Sequence, residues 1–127
     1  MNYFRILLLC ACMLLLAGEG IAQTSQRKAV IDLSSGDTAV MSVTLRQLRN
    51  FRNADPQAQL ELVCHGPAVK LLMTDSTFFR DQVVSLKKEQ VEFKACGNSM
   101  KRMNIKAEQL LPESDVVPAA IIELSDK

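Results

Sequence analysis

The chain has 127 residues, which is enough for one domain with a single core. Fifteen Lys and Arg balance fourteen Asp and Glu to a net charge of +1, and hydrophobic residues make up 48%. This composition excludes a chain that is disordered as a whole. It also argues against a general electrostatic affinity for nucleic acid or acidic lipid. Because there is no Trp and only one Tyr, a stacking platform for bases is not expected either.

Residues 1–22 have the features of a secretory signal peptide. A single arginine precedes an apolar run from Ile6 to Ala17, and Gly20-Ile21-Ala22 offers small residues for cleavage before Gln23. Glu19 closes the run too early for a membrane-spanning helix, which needs about 20 apolar residues. We therefore expect a periplasmic or secreted protein without stable membrane insertion after cleavage. An uncleaved N-terminal anchor is the alternative.

The remaining chain predicts strands that alternate with helices. A polar leader at residues 23–27 precedes a single domain at residues 28–127. Short apolar runs bounded by turn residues predict strands at 28–33, 60–64, 91–95 and 116–117. Helical spacing and capping residues predict helices that begin at Asp37 or Thr38, at Ala68, at Ser76 or Thr77, at Gly97, at Lys106 and at Ala119.

The first of these helices shows the clearest amphipathic pattern. Met41, Leu45 and Leu48 recur at helical spacing, with Phe51 on the same face. These side chains are expected to face the core. Three arginines, Arg46, Arg49 and Arg52, are expected on the solvated side.

The alternation predicts a three-layer α/β/α sandwich with a mostly parallel sheet of four to five strands. In such sheets ligand sites lie outside the carboxyl ends of the strands. Cys64 is at the end of the second predicted strand and Cys96 directly follows the third. The sequence thus predicts that both thiols lie at the functional edge.

Cys96 is the first candidate for chemistry. It precedes Gly97-Asn98-Ser99, which can start a helix whose unpaired N–H groups would stabilise a thiolate. A lowered pKa would make this thiol a better nucleophile, and Gly97 would let a substrate approach the backbone closely. The alternative is a buried structural cysteine, since free Cys is among the most buried residue types.

The segment Cys64-His65-Gly66-Pro67 is the second candidate. His65 is the only histidine in the chain, so any imidazole-based proton transfer must use it. A role in capping or tethering the loop is the alternative. A zinc site is not expected in the mature chain. Cys10 and Cys12 lie in the segment that signal cleavage would remove, and the remaining two Cys and one His lack the paired spacing of structural zinc ligands.

A disulfide between Cys64 and Cys96 is a third possibility. If their strands are neighbours, the strand ends lie about 5 Å apart, which is within disulfide reach. An oxidising compartment would permit the bond. It would serve as a structural staple or as the oxidised state of a redox pair in which Cys64 is the resolving thiol.

Three segments carry a resemblance to a known family. Residues 60–72 resemble the valine–x–His–Gly–Pro strand and loop of the DsrE/DsrF-like family. Residues 91–100 are similar to its V-x-F-x-x-C-x-N-[ST]-[LM] segment, and residues 110–119 to its L-L-P…V-V-P-[SA] segment. The segments occur in the family's order and spacing, and together the resemblance covers nearly all of residues 28–124.

The resemblance implies a DsrEFH-like fold, a parallel sheet with helices on both faces, and assembly into homo-oligomers, often trimers or hexamers. It also implies a sulfur carrier that accepts sulfane sulfur as a persulfide on Cys96 and exchanges it with a donor or acceptor protein. His65, Gly66, Gly97 and Asn98 would support the pocket, and no cofactor is required. The alternatives are a non-catalytic oligomeric binding module of the same fold and a thiol–disulfide redox protein using Cys64 with Cys96.

Overall fold

Four parallel strands form the sheet at the centre of the computed structural model, which describes residues 26–75 and 78–127. They are β1 (Lys28–Leu33), β2 (Gln59–Cys64), β3 (Val91–Cys96) and β4 (Ser114–Val117), in the spatial order β1-β2-β3-β4. The predicted parallel α/β architecture is confirmed. The predicted signal peptide and the predicted caps Ser76 and Thr77 lie outside the described residues.

Helical segments connect the strands and follow the last one. They are α1 (Thr38–Ala54), α2 (Arg80–Lys88), α3 (Gly97–Arg102) and α4 (Ala120–Ser125), with 3-10 helices at Gly66–Leu72 and Ala107–Gln109. The carboxylate of Asp37 caps α1 by accepting a hydrogen bond from the Ala39 N–H at 2.7 Å. Within the described part of the chain, no helix combines the length and hydropathy needed to cross a bilayer.

The main core lies on one face of the sheet. Consecutive parallel strands in sequential order require right-handed crossovers, which place the connecting helices on the same side. Leu62 of β2 and Phe93 of β3 are fully buried in a cluster with Leu45 and Leu48 of α1. This burial of apolar side chains is the main source of stability in the domain.

The opposite face of the sheet is covered more thinly. Val63 and Cys96 form a small separate cluster with Ala120 of α4. Further from Cys96, this face carries charged pairs, such as Lys94 with Asp115 at 2.9 Å. The sandwich is therefore unequal: within residues 26–75 and 78–127, α4 is the helix that covers the side on which Cys96 lies.

The position of Arg52 differs from its prediction. Arg52 is buried rather than solvated, and its guanidinium donates hydrogen bonds to the carbonyl oxygens of Pro56 at 2.7 Å and Ala58 at 2.9 Å. A third bond reaches the carbonyl of Gln90 at 3.3 Å. The side chain therefore ties the end of α1 to the segments that lead into β2 and β3.

Arg52→Met is expected to lower the free energy of unfolding by about 2–3 kcal/mol, because buried carbonyls would lose a charged donor. Arg46→Met is the matched control: Arg46 lies on the exposed side of the same helix, so its replacement should cost less than about 0.5 kcal/mol. Urea unfolding followed by circular dichroism measures both. Equal losses for the two variants would contradict the tethering role of Arg52.

Candidate functional site

Cys96 lies at the carboxyl end of β3 and immediately precedes α3. Val91, Phe93 and Ala95 point into the main core, so the alternation along β3 turns Cys96 to the other face, towards α4. The residue is 5% exposed. The structure places this thiol at the carboxyl edge of the sheet, as predicted.

Hydrogen bonds converge on the sulfur of Cys96. The Ala120 N–H donates to Sγ at 3.4 Å. The Ser99 hydroxyl and the backbone N–H groups of Ser99 and Asn98 also act as donors that lower the pKa of the thiol. Burial is the largest single influence and raises the pKa of the Cys96 thiol. The donors together outweigh burial, so the pKa lies below its usual value of 9.0. These donors therefore stabilise the Cys96 thiolate relative to that of an ordinary cysteine.

Ser99 connects Cys96 to the loop after β2. Its side chain is buried, with 2% of the residue exposed, and its Oγ accepts a hydrogen bond from the Gly66 N–H at 2.8 Å. Because an amide N–H can only donate, the single hydroxyl proton of Ser99 is free for the sulfur. Gly66 has a φ of +53°, a conformation that favours glycine. Sequence reasoning missed Ser99, although its spacing of three residues from the helix-capping Cys96 is typical of side chains that meet in a first turn.

His65 lies beside Cys96 at the neighbouring strand end. Cys64 of β2 pairs with Ala95 of β3. His65 follows Cys64 in an extended conformation, so it lies opposite Cys96. The His65 Nε2 is 2.9 Å from Oδ1 of Asp32, which is near the carboxyl end of β1. Sequence reasoning missed Asp32, which the alternation of β1 places on the same face as Cys96.

A pocket of about 280 Å³ opens at this edge of the sheet. It brings together three predicted site residues, Cys96, His65 and Asn98, and adds Asp32 and Arg102. The wall opposite these polar groups is built from α4 and the residue before it, Ala119, Ala120, Ile121 and Leu124. The pocket can therefore admit a small group to the sulfur while the imidazole stays within the same space.

Gly97 lies outside the pocket lining, against the backbone that follows β4. A Cβ at this position would come within 3.0 Å of the Val117 carbonyl oxygen and 3.4 Å of the Pro118 carbonyl oxygen. The glycine is therefore needed for the close approach of the protein's own backbone after β4. Gly66 also lies outside the pocket lining and reaches Cys96 through Ser99.

Cys64 does not meet Cys96. Both thiols are free, and Cys64 is fully buried in the main core, on the opposite face of the sheet from Cys96. Burial, with a smaller contribution from the charge of Asp32, raises the pKa of the Cys64 thiol strongly. The prediction that β2 and β3 are neighbouring strands is confirmed. The disulfide or resolving role of Cys64 is not compatible with this fold, because a side chain would have to cross the sheet.

In the folded protein, iodoacetamide is expected to modify Cys96, while Cys64 reacts only when the domain unfolds. Peptide mass mapping at successive times distinguishes the two positions. The same reaction in denaturing urea is the control, in which Cys64 and Cys96 should both be labelled. Labelling of Cys64 in the native protein at the rate of Cys96 would contradict the burial of Cys64.

The sheet and its pocket define the class of protein: a parallel α/β domain that presents a low-pKa cysteine beside a histidine–aspartate pair. Among residues 26–75 and 78–127, no three His, Cys, Asp or Glu side chains are grouped to hold a metal ion. The family model of the DsrE/DsrF-like family matches residues 26–127, and the chain belongs to this family.

The fold is also found in a solved structure. The chain is similar to the protein of unknown function MTH1491 from Methanobacterium thermoautotrophicum, with a TM-score of 0.76 and 22% sequence identity. The match covers 80% of this chain and 90% of that one. At this identity the likeness concerns the fold alone. No curated protein shows significant similarity to the chain.

Proposed function

We propose that the protein is a sulfur carrier that accepts sulfane sulfur as a persulfide on Cys96. The observation that carries this proposal is the set of hydrogen bonds on the Cys96 sulfur, which lower its pKa inside an open pocket. Membership of the DsrE/DsrF-like family supports it, because sulfur carriage is a role to which the family resemblance points.

The chemistry needs a thiolate and a sulfur donor of the persulfide class. The Cys96 sulfur attacks the outer sulfur of the donor, so that one S–S bond breaks and another forms. The donor leaves as a thiol, and electrons balance without a further oxidant. Delivery is the same exchange with a second thiol, which we place on an acceptor molecule.

The proposal extends to location and assembly. We place the carrier outside the cytoplasm, as the signal-like residues 1–22 suggest, and as a homo-oligomer, as the family resemblance suggests. Cell fractionation and size-exclusion chromatography with light scattering test these two points. Recovery in the cytoplasm would overturn the proposed location, and recovery as a monomer would overturn the proposed assembly. The chemistry at Cys96 is tested separately.

Intact mass spectrometry tests the carrier directly. After incubation with a small-molecule persulfide, the mature wild-type protein, whose cysteines are Cys64 and Cys96, is expected to gain the mass of one sulfur atom, and Cys96→Ser is expected to gain none. Cys64→Ala is the matched control, because it removes a buried thiol on the other face of the sheet and should leave loading unchanged. Loading of Cys96→Ser, or none in the wild type, would overturn the proposal.

The 5% exposure of Cys96 favours a second candidate function, a non-catalytic binding module in which this thiol is structural. In that case the native protein would resist both alkylation and sulfur loading at Cys96. Cys96→Ser would then fold and assemble as the wild type does.

A further inference from the structure

We propose that His65 is the general acid–base residue of sulfur transfer at Cys96 and that Asp32 positions its imidazole. The inference rests on the proposed sulfur-carrier function and adds a proton route to it. Both side chains line the pocket that contains Cys96. The imidazole is attached to the pocket wall by the 2.9 Å contact between its Nε2 and Oδ1 of Asp32.

The contact with Asp32 fixes which ring nitrogen is available. A carboxylate can only accept, so a hydrogen bond at this distance requires that Nε2 of His65 keeps a proton and points it at Asp32. Nδ1 is then the nitrogen that can take up and release a proton during the reaction. A carboxylate that orients an imidazole through its other nitrogen is a recurring device in proton transfer.

The other described side chains around the pocket are not suited to accept the proton of the Cys96 thiol, which leaves His65. Arg102 of α3 keeps its charge and has no acceptor. The hydroxyl of Ser99 is engaged between Gly66 and the sulfur, and the side chains that α4 contributes are apolar. Asp32 faces the imidazole itself. His65 is therefore the pocket side chain suited to accept a proton from the Cys96 thiol and to pass it on.

The step balances within the donor and the protein. The Cys96 thiol gives its proton to Nδ1 of His65, which forms a thiolate and an imidazolium. The thiolate attacks the outer sulfur of a donor R–S–S–H, the S–S bond of the donor breaks, and a new S–S bond forms on Cys96. The departing R–S⁻ takes the proton from the imidazolium. The products are a Cys96 persulfide and R–SH, and His65 returns to its neutral form.

The experiment uses donors whose leaving groups differ in basicity. Single-turnover loading of the mature protein is measured with the persulfide of an alkyl thiol and with that of an electron-poor aromatic thiol. An alkyl thiolate needs a proton to leave readily, whereas an electron-poor aromatic thiolate leaves without one. With the alkyl donor, His65→Gln is expected to lose about 100-fold in rate or more. With the aromatic donor, the loss should be less than about 10-fold.

Asp32→Asn is expected to show the same donor dependence with a smaller loss, and Asp32→Glu to recover part of the rate. Lys101→Gln is the control, because this exposed side chain lies outside the pocket lining and should leave both rates unchanged. His65 and Asp32 are partly exposed, so their replacement spares the core, and thermal unfolding checks this.

The outcomes separate the two proposals. Wild-type rates in His65→Gln with both donors would overturn the acid–base role of His65. An equal loss with both donors would overturn its proton transfer to the leaving group, and either result would leave the sulfur carrier standing. A wild-type protein that accepts sulfur from neither donor would overturn the carrier itself. Wild-type rates with both donors in Asp32→Asn would overturn the positioning role of Asp32.

Discussion

Phe93→Ala is expected to lower the free energy of unfolding by about 3–5 kcal/mol, among the largest effects of a single substitution in this domain. Phe93 is 0% exposed and lies in the middle of β3, one of the two interior strands of the sheet. Its pairing partners are Leu62 of β2 and Ser114 of β4, so the ring lies where the sheet meets the helices. Removing the ring would leave a cavity that the surrounding strands and helices cannot close fully.

Phe78→Ala is the matched control for this substitution. Phe78 is 83% exposed, and its ring packs edge-on against Phe79 with 5.6 Å between the ring centroids. Its loss should cost about 0.5–1 kcal/mol. Urea denaturation of the three proteins gives the comparison. A midpoint for Phe93→Ala close to that for Phe78→Ala would show that the main core is not organised around β3.

Local patterns were sufficient to predict most elements. Strand β3 alternates apolar and polar residues, α1 repeats its apolar residues at helical spacing, and Asp37 is a typical capping residue. These signals depend on neighbours within a few positions, so they can be read without a structure. The parallel pairing followed from the alternation of strands with helices, because such connections restrict the topology.

Features that depend on distant residues were not predictable in the same way. Arg52 follows Leu48 by one helical turn, but its partners include Ala58 and Gln90, which reach it only after the sheet has formed. Cys64 is one residue out of register with Cys96 in the pairing of β2 with β3. Because side chains alternate along a strand, this difference places the two thiols on opposite faces of the sheet. The sequence predicted that the two strand ends lie close together, but it did not predict which face of the sheet each thiol occupies.

The candidate site shows the same division. Cys96 and His65 were predicted at the functional edge because each lies at or just beyond a strand end. Asp32 was missed because His65 is 33 residues away from it. For Ser99 the spacing of three residues from Cys96 was a local signal, whereas its bond to Gly66, 33 residues away, was not predictable from neighbouring residues. Hydrogen bonds between separate loops give the pocket its electrostatic character, and only the assembled sheet brings these loops together.

Ser99→Ala is expected to raise the pKa of the Cys96 thiol, because a hydrogen bond to a charged group contributes roughly 1.5–3 kcal/mol and the variant loses the hydroxyl that stabilises the thiolate. The wild-type pKa is held below 9.0 by donors that include the Ser99 hydroxyl. Alkylation of Cys96 should therefore reach half of its maximal rate below pH 9.0 in the wild type and at a higher pH in the variant. At neutral pH the variant should react about 10- to 100-fold more slowly.

Ser125→Ala is the control for this effect, since its hydroxyl donates to the Ile122 carbonyl at the exposed end of α4, away from the pocket lining. Its pH profile of alkylation with iodoacetamide should match the wild type. Ser99→Ala also removes the acceptor of the Gly66 N–H, so some loss of stability is expected and is measured separately by thermal unfolding. An unchanged pH profile in a folded Ser99→Ala protein would show that backbone donors alone, from Asn98, Ser99 and Ala120, hold the thiolate. The sulfur would then be controlled by the backbone after β3 and β4 and not by the loop after β2.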